Sequence, residues 1–285
     1  MSLSTTLLLG FIAGGTIVFG LPVGRMRHPA PGIRIVLNAI AIGVLLFLLW
    51  DVLAAAWEPI DAALGDVHDH GDGYGRLFGY GALFAGGLSV GLLGLLGYER
   101  WMARTTRRTA GDAIDGPAAS SGRGLAAWPP ARRLALLIAV GIGLHNFAEG
   151  LAIGQAAASN AISLATVLVI GFALHNATEG FGIVAPLAAE SIDGVDNRPG
   201  WGFLLAMAAI AGGPTFVGTA IGHSFTSEPV SVLFLTLAAG SIIYVVVQLL
   251  GVAGRAKRSD LLTYGLLIGL LAGFVTDAIV TAGGA

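Results

Sequence analysis

Apolar residues along this chain do not recur at the three-to-four-residue spacing of a half-buried soluble helix. They run almost without interruption through eight stretches, at 7–24, 35–57, 77–98, 134–157, 163–189, 202–222, 230–252 and 261–282. Each is close to the ~20 helical residues that cross about 30 Å of hydrocarbon. The pattern predicts an all-α fold, a polytopic membrane bundle of eight transmembrane helices forming one domain over 1–285. The first run has no basic leader and no small-residue cleavage site, so it is expected to remain as the first helix.

Composition agrees: 55% of residues are hydrophobic, 11% are charged and the mean hydropathy is +0.81, against roughly 25% charged residues in an ordinary soluble domain. The 44 glycines suit membrane helices, where small residues let backbones approach closely. With no cysteine and a net charge of -2, thiolate ligands are excluded and nucleic acid is not an expected partner; the lipid bilayer is.

The basic residues set an orientation. Of the 15 Lys and Arg residues, only Arg76 falls on the side of the membrane that holds the termini. The positive-inside rule therefore predicts a multi-pass protein of the cell membrane with both termini extracytoplasmic. The connection at about 99–133, with "RTTRRTAGDAIDGPAASSGRG", reads as a flexible cytoplasmic loop. The outer connection "EPIDAALGDVHDHGDGYGR" carries Asp61, Asp66, Asp69 and Asp72 with His68 and His70. It is read first as a solvated acidic loop and second as a loose collection point for divalent cations.

Inside the apolar stretches the ionisable residues are Asp51, His145, Glu149, His175, Glu179 and Asp277, with no Lys or Arg among them. A carboxylate at the centre of a membrane helix costs about 2.5–3.5 kcal/mol on insertion scales, so each is a functional candidate. Four of them belong to a repeat, "LHNFAEGL" at 144–151 and "LHNATEGF" at 174–181. In a helix, His145 and Glu149 lie about 6 Å apart on one face, as do His175 and Glu179. A short connection at Ser159 and Asn160 makes the two spans antiparallel neighbours. The four side chains are thus expected to converge on one divalent cation near mid-membrane, bordered by Asn146 and Asn176. Nitrogen and oxygen donors without sulfur suit Zn²⁺ and also Fe²⁺, Mn²⁺, Co²⁺ or Cd²⁺. The plainer reading is a pair of helix-packing polar clusters, and the duplication weighs against it. Asp51 and Asp277, read toward the outer ends of spans two and eight, are candidate entrance or secondary ligands, with an interhelical hydrogen bond the equal alternative.

The pair "HNFAEG" and "HNATEG" resembles the signature of the ZIP (Zrt/Irt-like protein) family of divalent-metal transporters. "GFIAGGTIVFGLP" in span one and "AAGSIIYVVVQLL" in span seven are similar as well. The resemblance implies eight spans and no prosthetic cofactor. It also implies a pathway lined by His145, Asn146, Glu149, His175, Asn176 and Glu179, and metal movement into the cytoplasm by an elevator-like motion of spans one, four, five and six. It leaves room for a homodimer. The chain departs from the family's pattern at four places. Ala148 and Thr178 replace the motif prolines, while Thr215 in span six and Gln248 in span seven stand where carboxylates are common. With two Glu anions to balance one divalent ion, a single tightly held metal is expected per chain. The alternative function is an intramembrane metal-dependent enzyme of hydrolase type, although neither H-E-x-x-H nor a pair of E-x-x-H motifs occurs.

Overall fold

A computed structural model describes residues 1–25, 31–112, 125, 128–187, 198–224 and 227–282. All regular structure among them is helical: α1 (Leu3–Gly15) with a 3₁₀ continuation (Thr16–Arg25), α2 (Pro31–His70), α3 (Tyr74–Asp112), α4 (Pro130–Ala158), α5 (Ile162–Val184), α6 (Trp201–Ser224), α7 (Glu228–Gly254) and α8 (Ser259–Ala282). Eight helical segments among the described residues are long and apolar enough to span a membrane. Their outward residues, such as Phe78, Leu93, Leu267 and Leu271, are apolar and exposed.

Both long connections are shorter than the sequence reading gave. The acidic stretch is not a loop from Glu58: α2 runs for 40 residues to His70, a length of roughly 60 Å that carries its last turns past the hydrocarbon. Pro59 sits inside this helix, and the chain turns only where Gly71 and Gly73 adopt φ of +67° and +92°, a conformation open to glycine. His68, Asp69 and His70 are therefore exposed helical residues, and Asp66 pairs with Arg76 at 3.1 Å across the turn. On the other side, α3 continues to Asp112 and α4 starts at Pro130. The part of the expected cytoplasmic loop at 113–124 and 126–127 lies outside the described residues, as does the end of the expected fifth span at 188–189. The α4–α5 connection is as short as expected, with Asn160 in the left-handed region at φ 56°, which asparagine tolerates.

Two sub-bundles organise the helices. In one, α4 packs along α6, α6 against α1, and α5 against α1, its 3₁₀ continuation and α4; in the other, α2 packs along α8, and α7 against α3 and α2. The principal contacts between them are α4 on α7 and α2 on α5. The most apolar window of α4 is 78% buried against 17% for α8, so α4 is the axis of the molecule and α8 borders it.

Backbone contact holds the first sub-bundle together. At the α1–α6 crossing, a Cβ on Gly14 would strike the carbonyl oxygen of Gly212, and one on Gly212 would strike that of Gly14. Along α4–α6 the same relation alternates between helices, with Gly150 against Thr215 O and Gly218 against Phe147 O. The second sub-bundle uses a reciprocal pair of side-chain bonds between α3 and α7. The Tyr80 hydroxyl donates to Glu228 at 2.6 Å near one end, and the Tyr244 hydroxyl donates to Glu99 at 3.0 Å near the other.

Adjacent glycines on α6 make the packing testable. Gly213 has no heavy atom within 4 Å of a built Cβ, so Gly213→Ala should leave the melting temperature in detergent unchanged or raised. Gly212→Ala should lower it, by about 1–3 kcal/mol of overpacking. Equal behaviour of the two variants would refute the backbone-contact account.

Candidate metal centre

The repeated motifs face each other across the α4–α5 contact. Glu149 lies between two imidazoles, its Oε1 at 2.9 Å from His145 Nε2 and 2.5 Å from His175 Nε2. Among the described residues, these three are the only His and acidic side chains whose donor atoms gather closely enough to hold an ion, all within 4.8 Å of one another. Glu179 stands at the edge: its Oε1 is 4.0 Å from His145 Nε2, and its Oε2 accepts from Asn146 Nδ2 at 3.3 Å. The expected four-way convergence is thus a triad with a fourth ligand beside it. All four are at least nine-tenths buried, and no Lys or Arg occurs in either motif helix after Arg133.

The two asparagines tie this cluster to neighbouring helices. Asn146 Nδ2 also donates to Ala211 O on α6 at 3.0 Å, and Asn176 Nδ2 donates to Ala13 O on α1 at 3.0 Å. Each amide thereby spends its nitrogen on the protein, while its oxygen has no partner. Glu149 Oε2, Glu179 Oε1 and Thr215 Oγ1 are likewise buried and unpartnered. Buried polar atoms are ordinarily hydrogen-bonded, so these five oxygens on α4, α5 and α6 have acceptor capacity left over. Thr215 is one turn from Ala211 on α6, which puts it on the face that Asn146 touches.

The replaced prolines have different fates. The Thr178 hydroxyl donates to His175 O at 2.7 Å, a local bond of the kind that bends helices; Ala148 is a buried packing residue. Gln248 donates to Glu99 at 3.1 Å, so a carboxylate does stand near this position, contributed by α3. Sequence spacing could not find that contact, because its partners are 149 residues apart.

Asp51 lies near the middle of α2 (Pro31–His70), which continues well past the apolar stretch. One turn before it, Phe47 meets Gly273 of α8, itself one turn before Asp277, so the two aspartates occupy the next level of the α2–α8 contact. His68 and His70 join no such group among the described residues.

The model of the ZIP zinc transporter family matches residues 128–280, more than half of the 285 residues and all of both motif helices. The chain belongs to the ZIP zinc transporter family. It is accordingly a multi-pass membrane transporter and not an enzyme, which removes the hydrolase alternative. No curated protein matches the chain.

For this ZIP protein the role of Asn146 can be measured apart from metal. Asn146→Ala leaves Ala211 O and Glu179 Oε2 without their donor, which should cost about 1–3 kcal/mol in the thermal unfolding of metal-free protein in detergent. An unchanged transition would show that the amide carries no structural load.

Proposed function

We propose that the protein carries a divalent transition-metal ion, Zn²⁺ foremost, across the membrane toward the cytoplasm. In this reading His145, Glu149, His175 and Glu179 hold the ion in transit, with Asn146 and Asn176 at its border. The observation that carries it is the single carboxylate oxygen of Glu149 lying against both imidazoles at the centre of an apolar bundle. Two imidazoles and two carboxylates match the donor types and the four-coordinate number that Zn²⁺ favours. Fe²⁺, Mn²⁺, Co²⁺ and Cd²⁺ accept the same donors. Ligands bind metal only when deprotonated, so protons and metal compete for this cluster.

The chain acts as one transmembrane domain with both termini outside, a topology supported by the placement of its basic residues. The sub-bundle of α1, α4, α5 and α6 is the moving part and α2, α3, α7 and α8 the support, since the motif asparagines bind α4 to α6 and α5 to α1. Asp51 and Asp277 form a secondary cation station on the supporting side. His68 and His70, on the projecting end of α2, raise the local cation concentration there.

Uptake into dye-loaded proteoliposomes tests the transport reading. Protein-dependent entry of Zn²⁺ is expected, with Glu149→Gln reducing it more than Glu179→Gln, because only Glu149 touches both histidines. No signal with any of the five metals would refute transport, and equal loss in both variants would refute the unequal roles.

The carboxylate count sets stoichiometry. Two glutamates neutralise one divalent ion, and Thr215 adds only a hydroxyl where a third carboxylate would hold a second ion. Calorimetry should give one tightly bound Zn²⁺ per chain, rising toward two in Thr215→Glu. Two tight ions in the unaltered protein would mean that the unpartnered amide and hydroxyl oxygens suffice.

A further inference from the structure

Alongside the metal cluster, on the opposite face of α4, runs a groove of about 640 Å³ bounded by α4, α6 and α7. Its wall on α4 is Val140, Gly143, Leu144 and Phe147, and α7 contributes Phe234 and Leu237. On α6, Pro214 lies inside the continuous helix and has no N–H to offer the Ile210 carbonyl, against which Gly143 packs. Next to it Gly213 leaves open space. The Phe147 and Phe234 rings, 4.9 Å apart, close one side.

Three features determine what fills this groove. No lining side chain carries a polar atom, so beyond backbone carbonyls water, ions and lipid headgroups find no partner there. The volume falls within the roughly 300–1,000 Å³ of ligand pockets. Finally, its rim residues Ala209 and Val217 are exposed at mid-length of a membrane-spanning helix, so the groove opens into bilayer hydrocarbon.

We propose that the groove is a lipid site that takes one acyl chain of a bilayer lipid as a wedge between α4–α6 and α7. The chain lies lengthwise against Phe147, Val217 and Phe234, and the headgroup stays at the interface. The site joins the two sub-bundles but shares no residue with the metal cluster, so it stands whether or not the transport reading does.

The test uses full-length protein in liposomes containing a phosphatidylcholine with a diazirine at mid-chain, photolysed and mapped by mass spectrometry. Adducts should be several-fold enriched at Phe147, Val217 and Phe234 over the equally lipid-facing Leu267 and Leu271 of α8. Gly213→Phe, which places a ring in the groove, should abolish the enrichment, and so should Val217→Trp at its rim, a second variant that keeps the test open if the first fails to fold. Even labelling of the groove residues and of α8 would overturn the proposal. So would enrichment that survives both variants, or protection of the groove that depends on protein-to-lipid ratio, which would identify a second copy of the chain as its occupant.

Discussion

An unpaired carboxylate cannot be left in hydrocarbon, and the arrangement of this protein follows from that constraint. Glu149 meets it by lying against His145 and His175; Glu179 meets it in part through Asn146. Removing water from such groups costs several kcal/mol each, and imidazoles alone are an incomplete counterweight because they are neutral when unprotonated. The shortfall is what would make the cluster receptive: in the proposed reading a divalent cation supplies the missing positive charge and meets the oxygens that have no donor. A lysine or arginine in the same place would stabilise the helices and abolish the site.

Such a cluster needs its helices held close, and that explains where glycine is used. A side-chain layer between α4 and α6 would push Asn146 out of reach of Ala211 O and leave its amide unsatisfied. Backbone contact at Gly150 and Gly218 brings the helices near enough for a short asparagine to bridge them. Likewise, the Gly14–Gly212 contact brings α1 to the same bundle, where Ala13 O accepts from Asn176. Polar chemistry and glycine packing are therefore one design, since neither set of contacts forms without the other.

The sequence made the spans and the motif residues legible because both rest on local rules. Twenty apolar residues announce a helix in lipid, and four-residue spacing announces a shared face. It misplaced the ends of α2 and α3 because hydropathy reports where lipid stops, whereas a helix stops where its backbone is broken. Pro59 stands inside α2 without ending it, and the turn waits for Gly71 and Gly73. The inequality of Glu149 and Glu179 was not legible either. The two motifs are equivalent in spacing, and only the offset between two packed helices decides which carboxylate falls between both histidines. For the same reason Gln248 read as a lost charge, although Glu99 reaches it from a helix far away in sequence.

The seams around α4 differ in what they permit. Against α6 the contacts are backbone on backbone, with carbonyl oxygens seated where a Cβ would be, so neither helix can slide without collision. Against α7 the polar ties are Gln155, whose Nε2 donates to Ser231 Oγ at 3.4 Å, and Ser241, whose hydroxyl is 2.9 Å from Gly141 O on α4 and 2.7 Å from Ala238 O on its own helix. One hydroxyl proton serves either acceptor, so parting α4 from α7 leaves Ser241 bonded within α7 and strands no buried donor. The rest of that seam is the Phe147–Phe234 contact and the apolar groove, whose attractions are non-directional and re-form at a new register. Of the two seams, α4–α7 therefore resists displacement less than α4–α6, because its side-chain hydrogen bonds are few and its apolar contacts fix no register.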